Sequence, residues 1–201
     1  MENMKTVETG TATFRQLNWA VAKISGMAMR EPVPAQAGDF KHKMAPFKLF
    51  DVFAIGDDDN PAFEVREVTV TRIDIKKGCS APTVDTEYFD HAKMKRARAT
   101  ASLDFYYATR DEAELDVVAS TKGSYSDEFN PVRDWNFVGK LIDELGIMFG
   151  SADGNLVRAY QANSVASDDS LASVGADHRE AVIRLFLKKS YGHHFDVPES
   201  I

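Results

Sequence analysis

From Thr13 onward, apolar residues recur at Phe14, Leu17, Val21 and Ile24, spacings of three and four that put them on one face of a helix. The Thr13 hydroxyl can cap its start, and Gly26 can take the left-handed conformation that stops it. The helical period returns at Phe137, Val138, Leu141, Ile142 and Leu145, between Asp134 as N-cap and Gly146 as stop. It returns again at Ala181, Val182, Leu185, Phe186 and Lys189, where Asp177-His178-Arg179-Glu180 reads as a capping box and Gly192 ends the helix.

Between the first helix and the second the period drops to two, over residues 48–121. Ala97, Ala99, Ala101, Leu103, Phe105 and Tyr107 alternate with Arg96, Arg98, Thr100, Ser102 and Asp104, predicting a strand from Lys95 to Ala108 with one buried face. Ala113, Leu115, Val117 and Ala119 alternate in the same way, and the polar Arg110-Asp111 between the two runs predicts a hairpin. Phe63 to Ile75 reads as a strand whose apolar phase shifts from Phe63/Val65 to Val68/Val70 and then to Ile73/Ile75, as a β-bulge or burial on both faces would cause. Asp57-Asp58-Asp59-Asn60-Pro61 supplies a turn between Phe50–Ile55 and Phe63. Asp153-Gly154, between Ile147–Phe149 and Leu156–Tyr160, predicts a second hairpin. Residues Met1 to Gly10 read as a frayed start, Pro32, Pro34 and Gly38 as an irregular connection running to Pro46, and Ser164 to Gly175 as a loop. The predicted fold is α+β: two or three helices packed on a small antiparallel sheet, elaborated by an antiparallel β-meander.

Composition narrows the function. The chain has 201 residues, 44% hydrophobic and 27% charged, enough to bury a sizeable core. Its 31 acidic and 24 basic residues give a net charge of −7, which argues against binding nucleic acid over the whole surface. Cys79 is the only cysteine, so no intrachain disulfide or cysteine-based zinc site can form, and beside Gly78 it reads as an ordinary thiol. No segment approaches the ~20 apolar residues that a membrane helix needs, so the expectation is a cytoplasmic protein without a membrane partner.

Few residues invite chemistry. His193 and His194 are adjacent and so face opposite sides of an extended chain; a metal site would need distant help from His42 or His91, and no metal is expected. His178 falls at the start of the last helix and needs no function. The Asp57 run fails as a calcium loop, since Ala62 and Val68 stand where a glycine and a glutamate are required. Arg72, Lys76, Lys77, Lys93, Lys95, Arg96 and Arg98 cluster near Tyr88, Phe89, Tyr106 and Tyr107, a composition that can bind single strands by phosphate pairing and base stacking. Lys95, Arg96 and Arg98 are the candidates for that reading. Asp134, Trp135, Tyr160 and Arg184 form the other candidate group. Arg184 interrupts an apolar helix and, if buried, needs a carboxylate partner, for which Asp134 is the candidate. The alternative is a pocket floored by Trp135 in which Arg184 receives an anion or carboxylate.

Asn130-Pro131, Asp134-Trp135, Gly139, Ile142 and Gly146-Ile147 resemble the conserved block of the small phage NinX-like family. Ala181-Val182-Ile183-Arg184, Gly192 and Val197-Pro198-Glu199 resemble that family's closing helix and tail, and Asn18 to Lys23 with Gly26 its opening helix. The chain departs from the pattern at Tyr160, where a tryptophan is expected before Ala162, and residues 48–121 have no counterpart. The resemblance therefore implies a single domain over 1–201, with 48–121 as a β-rich insertion and 122–201 carrying a helix–hairpin–helix core. It implies a phage or prophage accessory protein of the bacterial host cell and carries over no catalytic residue. No nucleophile, base and orienting group stand at readable spacing, so the sequence argues against an enzyme and for no cofactor. The leading expectation is binding of a host protein or small-molecule ligand, with countering host defence as one purpose it could serve. Single-stranded nucleic-acid binding through the meander is second, and an enzyme acting on an anionic small molecule through Arg184 is third.

Overall fold

A computed structural model describes residues 3–40, 43–55, 62–74, 82–90, 93–126, 128–162 and 171–201. The chain divides into two compact units, one of residues 1–29 with 125–201, the other of residues 30–124. Helices and antiparallel sheets occur in an α+β arrangement. No helix among the described residues is long and apolar enough to cross a membrane.

In the first unit, strand β1 (Met4–Glu8) pairs antiparallel with β9 (His194–Pro198). The stretch expected to fray is therefore held, because Val7 packs into the core and Thr6 Oγ1 donates to Asp196 Oδ1 at 2.6 Å. Helix α1 (Phe14–Ile24) opens on a full capping box: Thr13 accepts from the Gln16 amide, and the Gln16 side chain accepts from the Thr13 amide. Gly26 then turns the chain at φ 70°. Helix α3 (Trp135–Leu145) is capped by Asp134 and stopped by left-handed Gly146 (φ 58°). It leads into the hairpin of β6 (Ile147–Ser151) and β7 (Val157–Gln161), which turns at Gly154 (φ 73°).

Strand β8 (Ala172–Gly175) adds to β7, so the end of the stretch expected as a loop is a sheet strand. Residues 164–170 of that stretch lie outside the described residues. Helix α4 (His178–Tyr191) packs on β7 and β8, with α1 and α3 against its other flanks. This surround explains why Ala181, Val182, Ile183, Leu185 and Leu187 are all buried and why its sequence shows no clean amphipathic stripe.

The second unit is built on a four-stranded antiparallel meander, β2 (Phe47–Ala54), β3 (Phe63–Asp74), β4 (Thr83–Asp90) and β5 (Lys95–Ser102), in sequence order. The phase shift in β3 is a bulge: pairing with β4 slips between Val70 and Arg72. The run Asp57–Pro61 lies outside the described residues, although Ala54 and Phe63 pair across the strands it joins. Leu49, Val68, Val70 and Val84 fill the buried face, with Phe40 and Leu103 over them. Phe40 ends a single 3-10 turn (Ala37–Phe40) in the connection that precedes β2.

The expected hairpin over 95–121 is not formed. After Ser102 the chain takes a 3-10 turn (Leu103–Phe105), and α2 (Arg110–Lys122) follows instead of a strand. Phe105, expected inside, is 69% exposed because that turn reverses the alternation. Thr109 caps the helix by accepting from the Glu112 amide, so Arg110-Asp111 opens a helix rather than a hairpin. Ala113 is the fully buried residue of α2, while Leu115 and Val117 are half-buried. The Thr109 cap, acidic residues in the first turn and the good helix formers Ala113, Glu114 and Leu115 outweigh a short alternation that either structure can carry. Glu112 anchors α2 within its unit through both oxygens, to Arg30 Nη1 and Nη2 at 2.8 and 2.6 Å, and accepts from the Val33 amide at 2.9 Å.

Candidate functional site

Asp134, Trp135, Tyr160 and Arg184 do not converge. Arg184 is buried, as its helix requires, but its carboxylate partner is Glu180 one turn earlier, at 2.6 Å from Nη2 and 3.0 Å from Nε. The guanidinium also donates to the carbonyls of Thr9 and Ala12, while the second oxygen of Glu180 accepts from the Ala176 amide at 2.7 Å. Glu180 thus turns away from the reciprocal half of the expected capping box. A buried arginine this fully engaged within the protein is not displayed to a substrate.

Asp134 instead accepts from the Asn136 amide at 2.8 Å, as the cap of α3. Trp135 is 55% exposed, and the arginine beside it is Arg179, whose guanidinium carbon lies 5.4 Å from the ring centroid. Tyr160 lies half-buried on β7, paired with Met148 and Ala172. His178 makes an edge contact with Phe149 at 4.8 Å between centroids. Among the described residues no group of three His, Cys, Asp or Glu side chains could hold a metal ion. His42, Cys79 and His91 lie outside the described residues.

The outer face of the meander carries the basic candidates among acids. Lys48, Thr69, Glu87 and Arg98 follow one another across the four strands. Arg98 is 2.6 Å from Glu87 and Lys48 is 2.5 Å from Glu67. On the opposite phase of β4 and β5, Lys95 stands across from Asp90, which also pairs with Lys93 at 3.2 Å. Arg96 stands opposite Phe89, and Arg72 opposite Asp85. Lys76 and Lys77 lie outside the described residues. The face is a mixed-charge lattice rather than a basic stripe.

The inner face of the same sheet opens into a cleft of about 470 Å³, the size range of small-molecule sites. Its shape follows from side-chain size. On β5 the inward positions are Ala99 and Ala101, whose single methyls leave the space that a valine or isoleucine row would fill. One wall is aromatic: Phe53 and Tyr88 lie 5.2 Å apart between centroids, with Phe63, Phe105, Tyr106 and Tyr107 completing it. Tyr107 is held against β2 by two backbone hydrogen bonds with Phe50, at 2.8 and 3.0 Å. The Tyr106 hydroxyl lies 3.3 Å from Thr86 Oγ1.

Three carboxylates, Asp51, Asp104 and Asp116, stand around this wall, and no lysine, arginine or histidine lines it. Asp51 continues the inward row Phe47-Leu49-Asp51-Phe53 of β2. Burial pushes its carboxyl up to about 6, against the Val52 amide and the Arg66 charge, which pull it down. Burial also raises the Tyr106 hydroxyl, and burial followed by the charge of Asp116 pushes Tyr107 to about 12. Both phenols are thus hydrogen-bond donors at neutral pH, and Asp51 is the group whose charge changes near it. Arg66 stands opposite Asp51 in the β2–β3 register, with its guanidinium 4.4 Å from the Phe53 ring centroid and held by Glu64 at 2.8 Å.

Two signals of this cleft stand in the sequence. One is a carboxylate in the inward phase of an apolar strand; the other is a row of alanines where a sheet needs bulk. Compared with known proteins, the chain matches no family model, no curated protein and no solved structure.

Proposed function

We propose that this protein is a non-enzymatic accessory protein of the phage or prophage kind, acting in a bacterial host by holding a small ligand in the cleft of residues 30–124. The observation that carries the reading is the recess itself: aromatic walls, an alanine floor and a few placed polar groups, the usual make-up of a ligand pocket. The NinX-like segments supply the accessory assignment, and withdrawal of a host small molecule is one way such a protein counters defence. Arg184 supports placing the site elsewhere than in those segments, since every partner it has is internal.

Native mass spectrometry of protein purified from bacteria tests this, with Ala99→Leu as the control that fills the floor of the cleft. The expected result is a bound small mass, released on denaturation and absent from the Ala99→Leu protein at unchanged fold. Unliganded protein in every preparation, or a bound mass indifferent to Ala99→Leu, overturns the reading.

A further inference from the structure

Resting on that reading of the cleft, we propose that its ligand is a small organic cation, an ammonium or guanidinium compound whose charge sits against Asp51 and whose carbon-bound face lies on Phe53 and Tyr88.

Charge and surface point the same way. The lining carries three carboxylates and no cationic side chain, so an anionic ligand would be repelled and a cation favoured, even with Arg66 beside Asp51 and the Tyr107 hydroxyl bonded to Asp116. The carboxylates are spread around the recess rather than gathered, and they form no metal-ligating group among the described residues. A compact hard cation needs such gathered oxygens; a bulky soft one is served by dispersed charge and ring faces. The protein already shows this chemistry beside the recess, where Arg66 lies over Phe53 with Glu64 as its counter-ion. Tyr88, tilted 47° against Phe53, offers a second ring to a cation on the open side.

The groups that face Asp51 are few and can be named. Arg66 and Glu64 come from β3, Tyr88 from β4, Asp104, Tyr106 and Tyr107 from the segment after β5, and Glu112 and Asp116 from α2. Of these and Asp51 itself, Asp51 is the one whose carboxyl is raised to about 6. A bound cation favours its ionised form, so affinity rises from pH 5 to pH 7.5 and then levels.

The test is an NMR titration of the full chain with choline, with agmatine and with 3,3-dimethylbutan-1-ol, the uncharged isostere of choline. A lysine-containing tripeptide with blocked ends forms a fourth arm. The expected result is shifts at the amides around Asp51, Tyr88 and Tyr107 with a dissociation constant of ~1 mM or tighter for a cation. The isostere should bind about tenfold more weakly or worse, as one lost charge interaction implies. Asp51→Asn, which removes charge and keeps shape, should erase the difference between choline and its isostere. Tightest binding by the tripeptide would mean that a partner chain presents the cation; tightest binding by choline or agmatine would mean a free amine. Equal binding of choline and its isostere overturns the cation while leaving the cleft as a ligand site. No shift with any cation at ~10 mM, far above that constant, also overturns it. The bound mass sought by native spectrometry then decides separately whether the cleft holds a ligand at all.

Discussion

Glu180 and Arg184, one turn apart on α4, form a buried pair at 2.6 Å in which each side chain is a tenth exposed or less. The pair joins α4 to the carbonyls of Thr9 and Ala12, just ahead of α1, and to the amide of Ala176. Truncating either partner strands the other charge, so Arg184→Ala and Glu180→Ala should each cost about 3–5 kcal/mol. Glu180→Leu with Arg184→Met should cost less than the two single truncations summed, because one interaction is removed once. Asp134→Ala should cost about 1 kcal/mol, the value of a helix cap, and should add independently to Arg184→Ala. Urea unfolding followed by the buried Trp19, in the same unit, reads all of these. A coupling between Asp134 and Arg184 above about 0.5 kcal/mol would contradict the geometry.

Gly175 closes β8 against the start of α4, and a methyl group there would stand 2.4 Å from the Ala181 nitrogen and 2.9 Å from the Glu180 carbonyl carbon. Backbone cannot rotate aside as a side chain can. Gly175→Ala should therefore destabilise its unit by about 1–3 kcal/mol or more. Hydrogen exchange should show the loss concentrated at β8 and the first turn of α4. Gly139→Ala, which meets nothing within 4 Å in mid-helix, should be neutral or stabilising in the same assay.

What the sequence made legible was local. Helix caps at Thr13, Asp134 and Asp177, stops at Gly26, Gly146 and Gly192, and the bulge in β3 all depend on a few neighbouring residues and stand as read, save that Glu180 leaves the box at Asp177 half made. Two misreadings arise because pairing partners are remote. Met4–Glu8 is polar by itself and becomes a strand because β9, almost two hundred residues later, pairs with it. Residues 172–175 become a strand because β7 has a free edge. The third, residues 110–122, is a case where alternation over seven residues competes with capping and propensity, and loses. The candidate group at Arg184 had burial right and the partner wrong, since Glu180 one turn away was counted only as a cap. The cleft went unread because it is defined by what is missing, the bulk absent at Ala99 and Ala101.

The meander should not bind single-stranded nucleic acid. Glu67 and Glu87 lie among Lys48, Arg96 and Arg98, and Arg98 is already paired at 2.6 Å. Fluorescence anisotropy with labelled single strands at ~50 mM salt, where phosphate contacts are strong, should show no binding. The Arg96→Ala/Arg98→Ala protein should behave identically. Binding that weakens steeply with salt and falls in the double variant would restore the meander as a nucleic-acid surface.

Asp51 should make the protein less stable as pH rises through the mildly acidic range. Its carboxyl titrates near 6 in the folded chain against an ordinary value of 3.8. Between those values the folded state keeps a proton that the unfolded state has released, so unfolding becomes easier with increasing pH up to about 6 and levels above it. The sign is opposite to that of a salt-bridged aspartate. Asp51→Asn cannot ionise and keeps an acceptor for the Val52 amide, so its advantage over the natural chain should be near zero at pH 4 and full by pH 7. Solvent at the cleft mouth screens part of the effect, which leaves about 1–2 kcal/mol. Denaturation at pH 4, 5, 6 and 7.5, followed by near-ultraviolet tyrosine signals of the unit that holds Tyr106 and Tyr107, gives the curve. A gain from Asp51→Asn that is the same at every pH would mean that the carboxyl titrates normally and that its charge is not held in a desolvated wall.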